Sequence, residues 1–171
     1  EMCIRDRVYM VMGYESGRSL QDHILRRRDK GEKPLVSERF IRKMFSHVMN
    51  GLREVHTNKL LHLDLKPANI YLRVDGTPIL LDFGAARQTL QSDMPKLYPM
   101  YTPGFAAPEL YVKNGSLGPW TDIYSIGASM FACMVGAPPQ PADQRKLNDK
   151  MDGHFNRLEG VYSADLIKVI R

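Results

Sequence analysis

The stretch HLDLKPAN at residues 62–69, followed by LDFG at residues 81–84, determines how the rest of the chain is interpreted. Between these segments, the apolar runs at residues 70–74 and 77–81 are separated by Asp75-Gly76, which predicts a β-hairpin with an Asp-Gly turn. A hairpin reverses the chain direction, so we expect it to bring the second segment back beside the first.

Four polar side chains would converge at the base of this hairpin. Asp64, Lys66 and Asn69 lie in the first segment, and Asp82 lies in the second. Two carboxylates, a carboxamide and an ammonium group suit a metal-bound polyphosphate better than a protein core. The alternative is that these are turn residues without chemistry, because Asp and Asn favour turns.

The length and composition are those of one globular domain or a large piece of one. The chain has 171 residues, of which 43% are hydrophobic and 25% charged, and its net charge is +5. No stretch approaches the roughly 20 apolar residues that a transmembrane helix needs, so we expect no membrane segment. Cys3 and Cys133 are the only cysteines, which argues against a disulfide framework and favours a reducing, cytoplasmic compartment.

A mild excess of basic residues is compatible with an anionic ligand such as a nucleotide. The only basic run, Arg26-Arg27-Arg28, stands at the end of a predicted helix, where a solvated surface is the simpler interpretation. Binding of nucleic acid would require a basic stripe with interleaved aromatic residues. We therefore expect no nucleic-acid partner.

The strongest helix pattern begins at Ser37, a plausible N-cap, and ends at Asn58-Lys59. Its apolar residues recur every three to four positions, which predicts one inward face. That face is expected to comprise Phe40, Ile41, Met44, Phe45, Val48, Met49, Leu52 and Val55.

A second helix is predicted from Trp120 to Val135, with Thr121 as its cap. Apolar and small residues surround it almost completely, which predicts a helix buried in the middle of a helical domain. Shorter helices are expected at residues 19–28, with Ser19 as the cap, at 143–150 and from 163 onward, whereas residues 85–107 show no period.

In order and spacing, these motifs resemble the C-terminal lobe of eukaryotic-like protein kinases. Residues 62–69 are similar to the catalytic-loop motif HRDLKPxN, residues 82–84 to DFG, and residues 107–109 to APE. Asp122 and Gly127 fit the DxWxxG pattern of the central helix. The detail is most similar to bacterial serine/threonine kinases. The resemblance implies an α+β, protein-kinase-like fold, with a mainly helical C-lobe, a small β-hairpin and a hinge strand.

The resemblance also implies a role for each residue of the central cluster. Asp64 would accept the proton of the substrate hydroxyl group, and Lys66 would stabilise the transferring phosphoryl group. Asn69 and Asp82 would hold Mg²⁺, which prefers oxygen ligands and substrate phosphates. Thr102 would hydrogen-bond the catalytic aspartate and lysine, which favours Ser and Thr as phosphoryl acceptors.

Residues 8–17 resemble the last strand of the upper lobe and the hinge on which the adenine of ATP rests. Met12 would be the gatekeeper at the back of the pocket, and the backbone of Gly13 and Glu15 would bind adenine. Tyr71 would lie beneath the adenine ring. An apolar strand that enters a loop explains the same residues almost as well without a ligand.

Three further residues would support the site by the same resemblance. His62 and Phe83 would pack in the core beneath it, and Asp122 would anchor the backbone of the catalytic loop. Glu109 ordinarily pairs with an arginine of a later helix, which this chain does not contain, so we expect Glu109 to lack that partner.

Leu63 replaces the arginine of the family motif, which ordinarily pairs with a phosphorylated residue of the activation segment. We therefore expect that residues 85–101 do not depend on a phosphate switch. The Gly-rich loop and the strand lysine that bind the phosphates of ATP do not precede Val8, so the upper lobe is expected to be largely absent. Residues 1–7 are interpreted as foreign or truncation residues, and residues 8–171 as a partial kinase domain truncated at both ends.

Two functions are weighed, and a small-molecule kinase of related fold is a third, against which the segment around Thr102 and residues 107–109 argues. The first is a fragment of a protein serine/threonine kinase that uses ATP and Mg²⁺, with the 171 residues alone binding ATP weakly and almost inactive. The complete set of Asp64, Lys66, Asn69 and Asp82 favours this enzyme. The second is a pseudokinase or lone C-lobe that acts as a protein-binding regulatory module, which Leu63 and the missing upper-lobe motifs favour.

Overall fold

The described chain begins with a short strand that leads directly into a helix. The computed structural model describes residues 13–83, 87–88 and 101–171, with only the backbone at residues 87–88. Strand β1 (Gly17–Ser19) precedes helix α1 (Leu20–Asp29), whose N-cap Ser19 accepts the N–H of Asp22 at 3.0 Å, as predicted. Residues 1–7, the expected hinge strand at residues 8–12 and most of residues 84–100 lie outside the described residues.

Helix α2 (Glu38–Thr57) is the longest described helix, and its predicted N-cap is confirmed. The Oγ of Ser37 accepts a backbone N–H from the first turn at 3.4 Å. The prediction that Met49 faces inward is wrong, because this residue lies at the edge of the apolar face and is 38% exposed. The fully buried face consists of Ile41, Met44, Phe45, Val48 and Leu52.

After α2, short strands and turns build the base of the site. Strand β2 (Leu60–Leu61) precedes a 3₁₀ turn (Pro67–Asn69), and strands β3 (Ile70–Arg73) and β4 (Pro78–Leu80) form the predicted hairpin. Among the described residues, β1, β3 and β4 form an antiparallel sheet in the order β1-β3-β4. Strand β2 pairs with β5 (Arg87–Gln88).

The connection of the hairpin is wider than the predicted Asp-Gly turn. The Arg73 N–H donates to the carbonyl of Thr77 at 3.0 Å, so residues 74–76 lie outside the strand ladder. Asp75 accepts both the N–H and the hydroxyl of Thr77, at 2.9 and 2.7 Å. These bonds lower the pKa of the Asp75 carboxyl and favour a side-chain-supported loop.

A second 3₁₀ turn (Pro108–Tyr111) leads to helix α3 (Pro119–Val135), which is buried along most of its length as predicted. The prediction that Thr121 is the N-cap is wrong, because the helix begins with Pro119, a residue suited to the first helical position. The Thr121 hydroxyl instead accepts the N–H of the true cap, Gly118, at 3.2 Å. Gly136, with φ of 82°, ends the helix in the left-handed conformation.

Three short helices complete the described chain: α4 (Ala142–Arg145), α5 (Asp152–Leu158) and α6 (Ala164–Ile170). The helix expected at residues 143–150 is thus reduced to a single turn. Ser163 caps α6 and also donates its N–H and hydroxyl to the carboxylate of Glu38, at 2.8 and 2.6 Å. These two bonds are the largest of the effects that lower the pKa of Glu38 to about 2. They also join α6 to the start of α2.

Helices dominate this part of the chain, and the sheets are small. One hydrophobic core draws residues from α1, α2, α3, α5 and α6, together with Ile70 and Leu72 of the hairpin. A mainly helical α+β arrangement with a small hairpin is therefore confirmed. None of the described helices is both long and apolar enough to cross a membrane.

Candidate active site

The backbone that precedes the central cluster is held from beneath by the carboxylate of Asp122 in α3. Its oxygens accept the N–H of His62 at 2.9 Å and the N–H of Leu63 at 2.8 Å. His56, in the last turn of α2, places its Nε2 2.8 Å from the same carboxylate and must donate there. Asp122 is fully buried, so these three donors satisfy a charge that would otherwise be costly to bury.

Leu63 has a backbone conformation that residues with a Cβ seldom adopt. Its φ is 65°, in the left-handed region, and its side chain is 1% exposed. Such conformations persist only where the surroundings impose them, often at functional sites. Here the bond to Asp122 and the buried side chain fix the loop immediately before Asp64.

Asp64, Lys66 and Thr102 form a closed triangle of hydrogen bonds. Lys66 Nζ lies 2.6 Å from Asp64 Oδ2 and donates to Thr102 Oγ1 at 2.8 Å. The Thr102 hydroxyl in turn donates to Asp64 Oδ1 at 2.8 Å. All three side chains are only partly buried, so the triangle is accessible from solvent. A carboxylate, an ammonium and a hydroxyl group are thus held together across 38 residues of chain.

Thr102 is positioned by a segment packed against the loop after α3. Its carbonyl accepts the N–H of Phe105 and of Ala106, both at 3.1 Å. Gly104 has a φ of 88°, and a Cβ there would lie 2.9 Å from the carbonyl oxygen of Pro139. Only glycine fits this contact without strain.

Asn69 and Asp82 lie at adjacent ends of the hairpin. Asn69 donates its Nδ2 to the backbone carbonyl of Asp64 at 2.9 Å, which leaves the amide oxygen directed elsewhere. The N–H of Leu81 donates to the backbone carbonyl of Asn69 at 2.9 Å, so Asp82 follows one residue after this bond. Asp82 is exposed and also has a left-handed φ, of 61°.

Of the two residues predicted to pack in the core beneath the site, His62 is buried and Phe83 is not. The Nε2 of His62 lies 3.0 Å from the carbonyl of Leu81, and its ring centroid lies 4.8 Å from that of Phe83. Phe83 is 43% exposed, so its predicted place in the core is wrong. The Nδ1 of His62 is buried without a hydrogen-bond partner among the described residues. The two segments that carry Asp64 and Asp82 are therefore held together by a side chain as well as by the hairpin.

The predicted nucleotide-contacting residues are only partly brought together. Tyr71 donates its hydroxyl to the carbonyl of Glu15 at 3.0 Å, and Arg73 contacts the Glu15 carboxylate at 3.0 Å. Gly13 is exposed, and no described contact joins it to Tyr71. Met12 lies outside the described residues, so its predicted gatekeeper position stays a prediction.

Glu109 has a partner that the sequence did not reveal. Its Oε1 accepts the hydroxyl of Thr121 at 2.6 Å, so the segment containing residues 107–109 is joined to the first turn of α3. Thr121 thereby connects this segment to the N-terminus of the helix that carries Asp122.

The donor set suits Mg²⁺ rather than a transition metal. No group of three or more His, Cys, Asp or Glu side chains that could hold a metal occurs within the described ranges. Mg²⁺ needs few protein ligands, because it retains waters and binds substrate phosphates. Asn69 and Asp82 offer oxygen ligands of the required kind. The amide nitrogen of Asn69 already donates to the backbone carbonyl of Asp64.

Sequence reasoning missed two contributors to this arrangement. His56 gives no signal in the sequence beyond its place in the last turn of α2, and the hydrogen bond from Tyr71 to Glu15 joins residues 56 apart. Both depend on tertiary packing, which no local pattern encodes.

The family model for the protein kinase domain matches residues 2–166 of this chain. The chain belongs to the protein kinase domain family. The resemblance seen in the motifs is thereby confirmed. The division into foreign residues 1–7 and a kinase part at residues 8–171 stays a prediction.

Individual relatives support the same assignment. Probable serine/threonine-protein kinase MARK-C of Dictyostelium discoideum is 29% identical over 169 residues, which cover 95% of this chain and 20% of that protein. Inactive serine/threonine-protein kinase PLK5 of Mus musculus is 32% identical over 154 residues, which cover 88% of this chain and 24% of that protein. This chain therefore spans between a fifth and a quarter of the length of these two relatives.

A solved structure, described as the apo form of PpkA-294, has a similar fold. It is 30% identical, with a TM-score of 0.73, over 92% of this chain and 53% of the other. The protein-kinase-like fold expected from the motifs is thus confirmed.

Proposed function

We propose that this chain is the catalytic part of a protein serine/threonine kinase, which transfers the γ-phosphoryl group of ATP to Ser or Thr hydroxyls of protein substrates. The observation that carries the proposal is the triangle of Asp64, Lys66 and Thr102, with contacts of 2.6 to 2.8 Å. Phosphoryl transfer depends mainly on positioning and on electrostatic stabilisation, and this triangle supplies both.

In the proposed reaction, Asp64 orients the acceptor hydroxyl group and accepts its proton. Lys66 holds Asp64 in place in the resting site and stabilises negative charge on the transferring phosphoryl group. Asn69 and Asp82 would hold Mg²⁺, which neutralises charge on the phosphates when it is bound. The bond from Asn69 to the backbone of Asp64 keeps the metal-binding and proton-accepting groups in fixed relative positions.

The binding of adenine is proposed for the segment around Gly13 and Glu15, with Met12 behind it and Tyr71 beneath it. The bond from Tyr71 to the carbonyl of Glu15 supports this proposal, because it fixes the tyrosine ring against the segment. Residues 13–16 are exposed, so the segment is accessible to a ligand.

Preference for Ser and Thr rests on Thr102. Its hydroxyl bridges Asp64 and Lys66. The test is to incubate the longest natural protein that contains this chain with Mg-ATP and matched peptides that differ only in a Ser, Thr or Tyr acceptor. We expect labelling of the Ser and Thr peptides, and a loss of roughly a hundredfold in rate for Thr102→Val but not for Thr102→Ser.

Equal labelling of the Tyr peptide would contradict the proposed acceptor class. A Thr102→Val variant that is as fast as the unaltered protein would show that catalysis does not depend on the Thr102 hydroxyl. A reducing, cytoplasmic compartment is proposed as well, because two cysteines in 171 residues do not suggest a disulfide framework.

A protein-binding module without catalysis is the second candidate. Leu63 favours it, because the family motif has an arginine at this position. The relative PLK5 of Mus musculus, which is 32% identical, is described as an inactive kinase. Phosphoryl transfer to the Ser and Thr peptides separates the two candidates. A module without catalysis would transfer no phosphoryl group even where it binds Mg-ATP, whereas the kinase would label the peptides.

A further inference from the structure

A groove of about 520 Å³ runs along α1 and the turn that follows it. Its lining contains no residue of the proposed active site. The groove is lined by Arg18, His23, Arg26, Arg27, Asp29, Lys30 and Glu32. Four cations against two carboxylates leave an excess of two positive charges, with the histidine neutral.

The three consecutive arginines of α1 have different environments. Arg27 donates its Nε to the carbonyl of Leu35 and pairs with the carboxylate of Glu32 at 2.6 Å. Arg28 donates to the carbonyl of Gly136 at 3.3 Å. Arg26 is exposed and makes no side-chain hydrogen bond or ion pair within the described part of the chain. Of these three arginines, only Arg26 is therefore available to an external ligand.

Two further cations share this property. The side chains of Arg18 and Lys30 are exposed, and neither pairs with a carboxylate of the described ranges. Lys30 follows Arg26 by four residues, and Arg18 lies at the opposite end of α1. The groove therefore presents uncommitted positive charge along its length, whereas Glu32 is already neutralised by Arg27.

One side of the groove is formed by an uncharged aromatic ring. The His23 ring stacks on Phe40 of α2, with 5.2 Å between centroids and an interplanar angle of 17°. Burial, and then the nearby charges of Arg27 and Arg18, lower the pKa of His23, so the ring is neutral at pH 7. A neutral ring beside exposed cations offers both apolar contact and charge to a bound segment.

We propose that this groove docks an acidic segment of a partner protein. Its separate carboxylates would pair with Arg18, Arg26 and Lys30, the lining cations that have no carboxylate partner in the described ranges. A nucleic acid fits less well, because the lining contains no Phe, Tyr or Trp on which a base could stack. The inference goes beyond the proposed kinase activity and does not depend on it. Because α1 packs on the 3₁₀ turn that contains Asn69, a docked partner would be held on the lobe that carries the active site.

The test measures binding of a fluorescent peptide of alternating Glu and Ser to the longest natural protein that contains this chain, by anisotropy and without nucleotide. The groove variant is Arg26→Glu with Lys30→Glu. The control variant is Lys146→Glu with Lys168→Glu, which makes the same charge change at exposed residues outside the groove. We expect the groove variant to lose about tenfold or more in affinity and the control to stay within about twofold.

A second readout reports on occupancy of the groove. We expect the peptide to raise the pKa of His23, measured by NMR titration and assigned with His23→Gln, because added carboxylates favour the protonated ring. Equal loss in both double variants, no movement of His23, or binding of a single-stranded RNA oligonucleotide in preference to the peptide would each overturn the proposal. Because the assay contains no ATP, its outcome is separate from that of the phosphoryl-transfer test.

Discussion

At the scale of the residue, the site depends on a leucine held in a left-handed conformation. Leu63 has a φ of 65° and is buried, and its N–H is bound by Asp122, which also binds His62 and His56. A left-handed conformation costs a residue with a Cβ about 1–2 kcal/mol. The three donors to one buried carboxylate provide the stabilisation that offsets this cost.

Replacement of Asp122 by Asn should therefore destabilise the protein. The carboxamide can accept from one backbone N–H, but its amino group would face the other donor. We expect a loss of roughly 1–3 kcal/mol in the free energy of unfolding. Thermal unfolding measures this change, and Asp143→Asn, at an exposed position on α4, is the matched control. Equal melting temperatures for the two variants would show that Asp122 does not hold the loop.

Leu63 also leads to a prediction about regulation. A leucine cannot bind a phosphate group, so activity should not require phosphorylation of the activation segment. Thr89 and Ser92 lie outside the described residues, but their hydroxyl groups can be removed in the longest natural protein. We expect Thr89→Ala with Ser92→Ala to keep its kinase rate within about twofold of the unaltered protein. A large loss of rate would contradict the expectation.

At the scale of the element, α2 and α6 are joined through Glu38. Its carboxylate accepts two bonds from Ser163, and Arg42 donates to it at 2.7 Å. Ser163 is also the N-cap of α6. One carboxylate thus fixes the start of two helices that are distant in sequence.

This contact predicts a dependence of stability on pH. The pKa of Glu38 falls from 4.5 to about 2 on folding, so its contribution is complete above pH 4.5 and is lost as the pH falls toward 2. Glu38→Gln should lower stability at pH 7 by roughly 0.5 kcal/mol, since solvent screens this partly exposed contact, and should flatten the acid dependence. Urea unfolding at several pH values checks both effects, with Glu54→Gln as the control on the same helix. An unchanged acid slope in Glu38→Gln would exclude this carboxylate as its source.

The elements were largely predictable, because their signals are local. Apolar spacing with the caps Ser19 and Ser37 placed α1 and α2, a helix was expected from residue 163 onward, and two β-type runs placed the hairpin. The predictions were wrong where a neighbouring residue changed the conformation that the local pattern indicates. Asp75 bonds Thr77 and widens the hairpin connection, and Pro119 moves the start of α3 ahead of Thr121.

The candidate site was predictable only in part. Asp64, Lys66 and Asn69 are neighbours in sequence, so the motif alone indicates their proximity. The placement of Thr102 rested on family resemblance, since 38 residues separate it from Asp64. The carboxylate that anchors the loop and the histidine that contacts it come from two different helices, and their meeting depends on how α2 packs on α3.

At the scale of the whole molecule, one hydrophobic core supports a polar site at the base of the hairpin. Helices α1, α2, α3, α5 and α6 share that core, and the buried residues of β3 extend it to the loop that carries Asp64. The site therefore rests on packed elements, with the groove along α1 at its side. This arrangement suits a reaction in which the protein mainly positions charged groups.

The central claim is that Asp64 accepts the proton of the acceptor hydroxyl during phosphoryl transfer from Mg-ATP. The most direct measurement compares the steady-state rate and the ATP affinity of the longest natural protein with those of its Asp64→Asn variant, using a Ser-containing acceptor peptide. We predict a fall in kcat of about a thousandfold with ATP affinity nearly unchanged, because Asn keeps the shape but cannot accept the proton. Retention of most of the rate in Asp64→Asn, or the absence of any transfer by the unaltered protein, would contradict the account.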